Sequence, residues 1–139
     1  MNRLVSRALQ TMERMPPSVI QAQHAAVLLC IDDNPDILEC EKAFLETFGH
    51  RVFTATNGSE GLALASIHEI DVVVVDYLMP EMNGHEFAIQ MRRIRPQVPI
   101  IMLSVAVDIP KQALKMVDAF IAKDYLSRRL LPEIARLQQ

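Results

Sequence analysis

Residues 72–75 are four consecutive valines set between Asp71 and Asp76. A run this short and uniformly apolar predicts a strand buried on both faces. An alternating pattern would leave one face wet, and a helix would need more length. β-branched side chains suit that setting. The strand is expected to stop at Asp76, because Pro80 and Gly84 mark a loop directly after it. Strands buried on both faces belong to parallel sheets covered by helices, where ligands and chemistry gather at the carboxyl ends of the strands. Asp76 is therefore a carboxylate carried by a rigid strand to a functional edge. An aspartate at such a place can also simply cap the next turn or helix, so the rest of the chain has to decide.

The rest of the chain alternates in the same way. Residues 25–31 form a second apolar strand ending in Asp32-Asp33, and Asn34-Pro35 then supplies an N-cap followed by a proline suited to the first helical turn. The helix carries Ile37, Leu38, Glu41, Phe44, Leu45 and Phe48 on one face and ends near Gly49. A short strand over 51–56 leads through the Asn57-Gly58 turn into a helix over 59–67, with Leu62, Leu64, Ala65 and Ile67 apolar. After the valine strand come a helix over 84–93, a strand over 99–103 ending at Ser104, and a short helix over 110–117. A strand over 119–122 ending at Lys123 and a helix over 126–137 complete the series. Five strand–helix units predict an α/β fold, a doubly wound five-stranded parallel sheet with helices on both faces and right-handed crossovers.

The residues just past the strands form a chemical set: Asp32 and Asp33, Asp76, Ser104 and Lys123. A strand order of 2-1-3-4-5 would bring them together. Three neighbouring carboxylates raise one another's pKa values unless a cation joins them. Hard oxygen ligands suit Mg²⁺, which is usually held by one or two carboxylates, waters and a phosphate. Lys123 offers a compact positive charge to a phosphate or to Asp76, and Ser104 offers a hydroxyl. His24, His50, His68 and His85 are scattered and read as surface or cap residues.

This combination resembles the response-regulator receiver domain of bacterial two-component signalling, over about residues 26–139. Asp32-Asp33 is similar to the family's acidic pair. Asp76, with Met79-Pro80-Glu81-Met82-Asn83-Gly84 after it, is similar to the phosphoacceptor and its Met-Pro-x-Met-x-Gly tail. Ser104 matches the hydroxyl position, Lys123 the lysine, and Phe120 the aromatic switch position, although a plain core phenylalanine is an equal reading there. The resemblance implies the flavodoxin-like order 2-1-3-4-5 and transfer of a phosphoryl group to Asp76 from a histidine kinase or a phosphotransfer protein. It also implies Mg²⁺ held by Asp32 or Asp33, Asp76 and the backbone carbonyl of Leu78. Ser104 and Lys123 would hold the phosphoryl oxygens, and the output would be a downstream protein target or effector domain. Such a domain is not an enzyme beyond accepting and slowly losing its own phosphoryl group.

Four positions depart from the family pattern. Val105 replaces a small residue beside Ser104, and Asp124 stands where a proline is usual, which is expected to alter that turn and draw Lys123 away. The segment from Ser104 to Lys123 is about a turn short, and Pro132 falls inside the last helix, where a kink is expected. Two other classes compete with the phosphoacceptor reading. One is a receiver-like interaction module without regulated phosphorylation. The other is an aspartate-nucleophile phosphatase, disfavoured because Leu78 stands where its second acid would be.

Ahead of this domain, residues 2–15 place Leu4, Val5, Ala8, Leu9, Met12 and Met15 at helical spacing, and Pro16-Pro17 ends the pattern. An amphipathic helix and connector over 1–25 is expected, with a possible homodimer as one way to bury its apolar stripe. The net charge of −3 gives no basic footprint for direct nucleic-acid binding. Cys30 and Cys40 have neither disulfide-framework nor zinc spacing. No apolar run approaches a membrane span and no secretory signal pattern opens the chain, so a cytoplasmic protein is expected.

Overall fold

The computed structural model describes residues 25–105 and 108–138. The helix expected over 2–15 lies outside them. The described chain runs β1 (Val27–Ile31), α1 (Pro35–Thr47), β2 (Arg51–Ala55), α2 (Gly58–Ile67), β3 (Val72–Asp76), α3 (Gly84–Ile94), β4 (Ile100–Ser104), α4 (Lys111–Lys115), β5 (Ala119–Ala122), a 3₁₀ turn (Lys123–Tyr125) and α5 (Leu126–Leu137). The five strands are parallel in the order β2-β1-β3-β4-β5. This is the doubly wound, flavodoxin-like arrangement.

All five residues of β3 are buried, and so are all five of β4. Alternate side chains along each strand feed opposite faces, as the two-residue period of a strand requires. Leu28, Cys30, Val72 and Val74 pack with Leu38 and Leu45 of α1 and with Leu126, Leu130, Leu131 and Ile134 of α5. Leu29, Ile31, Val73 and Val75 pack with Ala65 of α2 and with Phe87, Ala88 and Met91 of α3. The α4 helix is five residues long, in keeping with the short segment before β5.

Local chemistry fixes the loops at the carboxyl edge. The Asn34 side chain accepts the backbone N–H of Asp36 and Ile37, with Pro35 in the first turn of α1. At α3, Asn83 and Glu86 form a capping box. The chain returns from β3 so tightly that a Cβ on Gly84 would lie 2.8 Å from the backbone oxygen of Asp76. Glu81, in the same loop, has φ of 68°.

Some expectations are corrected by packing. Ile67 is 74% exposed rather than part of the apolar face of α2. His50 is buried, not a surface residue, and its Nδ1 accepts the Ala26 N–H at 3.1 Å. Burial lowers its pKa, and the imidazole thereby joins the start of β1 to the start of β2. His68 stacks on Phe53 at 4.2 Å between ring centroids. Pro132 sits on the exposed side of α5, and the helix runs through it without interruption.

Candidate acidic site at the carboxyl edge of the sheet

Parallel pairing brings the ends of β1, β3, β4 and β5 side by side, and the predicted polar residues arrive with them. Asp32 follows β1, Asp76 is the last residue of β3, Ser104 the last of β4, and Lys123 follows β5. Asp32, Asp76 and Ser104 are buried, whereas Asp33 is exposed. Asp32, Asp33 and Asp76 each offer an oxygen, and these three atoms lie within 4.8 Å of one another. A convergent set of carboxylate oxygens, with an exposed member facing water, has the chemistry of a hard divalent cation site that retains solvent ligands.

Lys123 is the cation present in this geometry. Its Nζ donates to Asp32 Oδ2 at 3.0 Å and lies 3.4 Å from Asp76 Oδ2. The substitution of Asp124 for proline therefore does not draw the lysine away. Burial acts to lower the lysine pKa, but its hydrogen bond to Asp32 and the charges of Asp76, Asp32 and Glu41 outweigh that and raise it. The other Asp32 oxygen accepts the Asn34 N–H at 2.9 Å, which ties the acidic pair to the start of α1.

Asp76 is pushed up to about 6, first by burial, against the lowering effect of Lys123 and with a raising contribution from Asp32. The Leu78 backbone N–H also bonds to this carboxylate and lowers its pKa. The Leu78 side chain is half exposed. Ser104 pairs with Ala122 across the β4–β5 ladder, one residue beyond the pairing of Asp76 with Leu103. Phe120 is half-buried on β5, opposite Met102. Val105, beside Ser104, is 71% exposed.

One ionisable residue of the site was not singled out in the sequence. Glu41 is on α1, only 3% exposed, and its Oε1 has no hydrogen-bond partner. Burial is the main cause that pushes it up to about 8; Asp32 raises it further, Lys123 lowers it and Asp76 raises it. Its placement among Leu38, Phe44 and Leu45 on one face of the α1 pattern was the available signal. A carboxylate at such a helix position is a buried charge by construction.

Comparison with known proteins agrees with this geometry. Response regulator SaeR of Staphylococcus aureus is 38% identical over 77 residues, which cover 55% of this chain and 33% of that protein. The chain thus spans about a third of the length of the curated relatives it matches. Among solved structures, a response regulator receiver domain protein from Clostridium thermocellum matches with a TM-score of 0.75 at 30% identity, covering 81% of this chain and 94% of that one. Response regulator protein TrrA of Thermotoga maritima, solved in complex with Mg(2+)-BeF, matches with a TM-score of 0.76 at 27% identity, covering 81% and 98%. The family model described as response regulator receiver domain matches residues 28–135. With the β2-β1-β3-β4-β5 sheet and the acidic edge in place, the chain belongs to the response regulator receiver domain family.

Proposed function

We propose that the domain is a phosphoacceptor switch in which Asp76 receives a phosphoryl group from the phosphohistidine of a histidine kinase or phosphotransfer protein. The observation that carries this reading is the Asp76–Lys123–Asp32 arrangement at the sheet edge, with Asp33 completing a cluster of acidic oxygens. An Asp76 carboxylate oxygen forms the new bond to phosphorus as the phosphorus–nitrogen bond breaks, and the imidazole leaves with the electron pair. Such transfer needs in-line placement and charge neutralisation more than covalent chemistry from the protein. Mg²⁺ fits the donor set of Asp32, Asp33 and Asp76 with the Leu78 carbonyl, and when bound would offset the charge of the phosphoryl oxygens. Lys123, already poised between the two buried aspartates, turns its ammonium to a phosphoryl oxygen. Ser104 supplies a hydroxyl to another.

Phosphorylation of a carboxylate leaves about −1.5 to −2 charges where there was −1. That change draws on Ser104 and Lys123, which terminate β4 and precede α5. The α4–β5–α5 surface, with Phe120 on β5, is the element biased by it. A downstream protein or effector domain reads this surface, so the domain is a signalling module rather than an enzyme. Among the described residues no helix is long and apolar enough to cross a membrane. Leu78 cannot orient a water by a side-chain hydrogen bond, which favours a long-lived acyl phosphate.

Intact-mass measurement after treatment with acetyl phosphate and Mg²⁺ tests the assignment. The wild type should gain one phosphoryl group and Asp76→Asn none. An adduct on the Asn variant, or an unmodified wild type, would overturn it.

A further inference from the structure

Glu41 is the buried acid that the phosphoacceptor chemistry does not use. It lies three residues after Leu38 and four before Leu45 on α1, both of them buried in the same core. The groups whose charge reaches it are Asp32 after β1, Asp76 at the end of β3 and Lys123 after β5. It in turn acts on the Cys30 thiol of β1, which burial pushes up and Glu41 and Asp32 push further. From α5, the same core receives Leu126, Leu130 and Ile134, all apolar. The carboxyl group is thus enclosed by apolar side chains on one side and by the acidic site on the other. Its Oε1 is unpartnered, whereas buried polar groups are ordinarily hydrogen-bonded.

The charge arithmetic of the neighbouring site gives this placement a consequence. Asp32, Asp33 and Asp76 are opposed within the cluster by Lys123, so three negative charges face one positive charge. A fourth negative charge behind them would be unfavourable, and the neutral acid avoids it. A divalent cation among the aspartates reverses the local sign, because a bound metal ion is the largest charge in such a site.

We propose that Glu41 is a charge-regulating residue of the phosphoacceptor site, kept as the neutral acid until a divalent cation joins the three aspartates and giving up its proton when one does. The inference rests on the cation-dependent phosphoacceptor reading above. It adds a coupling to protons that the aspartates alone do not supply at neutral pH. Linkage is reciprocal: if cation binding expels the proton, then removing the proton by raising pH strengthens cation binding. The direction is fixed, with tighter binding at higher pH over the range in which Glu41 holds its proton in the cation-free protein. Asp76 titrates near 6, well below Glu41, so the two contributions separate along the pH axis.

The test is calorimetric titration of the full chain with MgCl₂ in two buffers of different ionisation enthalpy, for wild type and Glu41→Gln, at about pH 7.5. The expected result is release of a large fraction of one proton per Mg²⁺ in the wild type and little in the variant. Apparent affinity should rise severalfold between about pH 7 and about pH 8.5 in the wild type, with a nearly flat profile for Glu41→Gln. Equal proton release by both proteins, with Mg²⁺ bound by both, overturns the role of Glu41 and leaves the phosphoacceptor reading intact. Failure of the wild type to bind Mg²⁺ at all overturns both. A second measurement needs no variant: in wild-type protein with ¹³C-labelled glutamate, one side-chain carboxyl resonance should titrate near 8 without Mg²⁺ and shift to lower pH when Mg²⁺ is added. If every glutamate carboxyl titrates in the ordinary range, or if Mg²⁺ leaves the high-titrating one unmoved, the proposal is wrong.

Discussion

The Asp32, Asp33, Asp76, Ser104 and Lys123 set was legible because each lies at the end of an apolar run, where a parallel sheet must expose its carboxyl edge. Glu41 was visible as a helix position but not as a titrating group, because its environment is made by β1, β3, α5 and Lys123, which are distant in sequence. His50 was misread for the same reason, since its partner Ala26 is 24 residues away. The raised acidity range of Glu41 has a consequence for stability. Its ordinary value is 4.5 and its folded value about 8, so between these limits the folded protein holds a proton that the unfolded chain releases. Stability then falls as pH rises through that window and levels off above it. Glu41→Leu removes the buried acid while keeping an apolar side chain, and should stabilise the domain at pH 8 by on the order of a few kcal/mol. The gain should be much smaller near pH 5, and urea unfolding at both pH values checks it. Asp76, pushed up to about 6, adds a slope of the same sign at lower pH.

Element boundaries followed local signals where caps were present. α1 begins at Pro35 after the Asn34 cap, and α3 begins after the Asn83–Glu86 capping box. The α4 region was less legible: no side-chain cap bond opens the helix, which contracts to Lys111–Lys115 from the expected 110–117. In α5, Leu126, Leu130, Leu131 and Ile134 bury one stripe deeply enough to carry the helix through Pro132. The missing N–H falls on the exposed side, where water can satisfy the orphaned carbonyl. That tolerance is not free, because proline in a helix interior costs about 3 kcal/mol. Pro132→Ala is expected to stabilise by roughly 1–3 kcal/mol, the lower end allowing for the extra freedom it gives the unfolded chain. Thermal unfolding would register this as a rise of several degrees in Tm, and an unchanged or lower Tm would contradict it.

At the scale of the whole molecule, the alternation of buried strands and helices was enough to read the parallel sheet, while the strand order came with the family resemblance and is seen in the pairing of β1 with β2 and β3. The apolar spacing of residues 2–15 remains an expectation about sequence, and it points to self-association. Molar mass in solution should be larger for the full chain than for a protein starting at Gln23, at micromolar concentration. Identical monomeric masses, with and without phosphorylation, would remove the segment as an association element. Far from the acidic edge, Arg92 of α3 reaches the backbone oxygens of Pro96, Val98 and Met116 and pairs with Asp118 at 2.6 Å, while the same Asp118 oxygen accepts the Ile100 N–H. This clasp anchors the segments leading into β4 and β5 to α3 at the end of the sheet opposite Ser104 and Lys123. A strand pair pinned at one end and loaded at the other behaves as a lever with its fulcrum at Asp118. A pull at the acidic edge is therefore delivered as a tilt that grows toward the carboxyl ends of β4 and β5, not as a slide of the whole face.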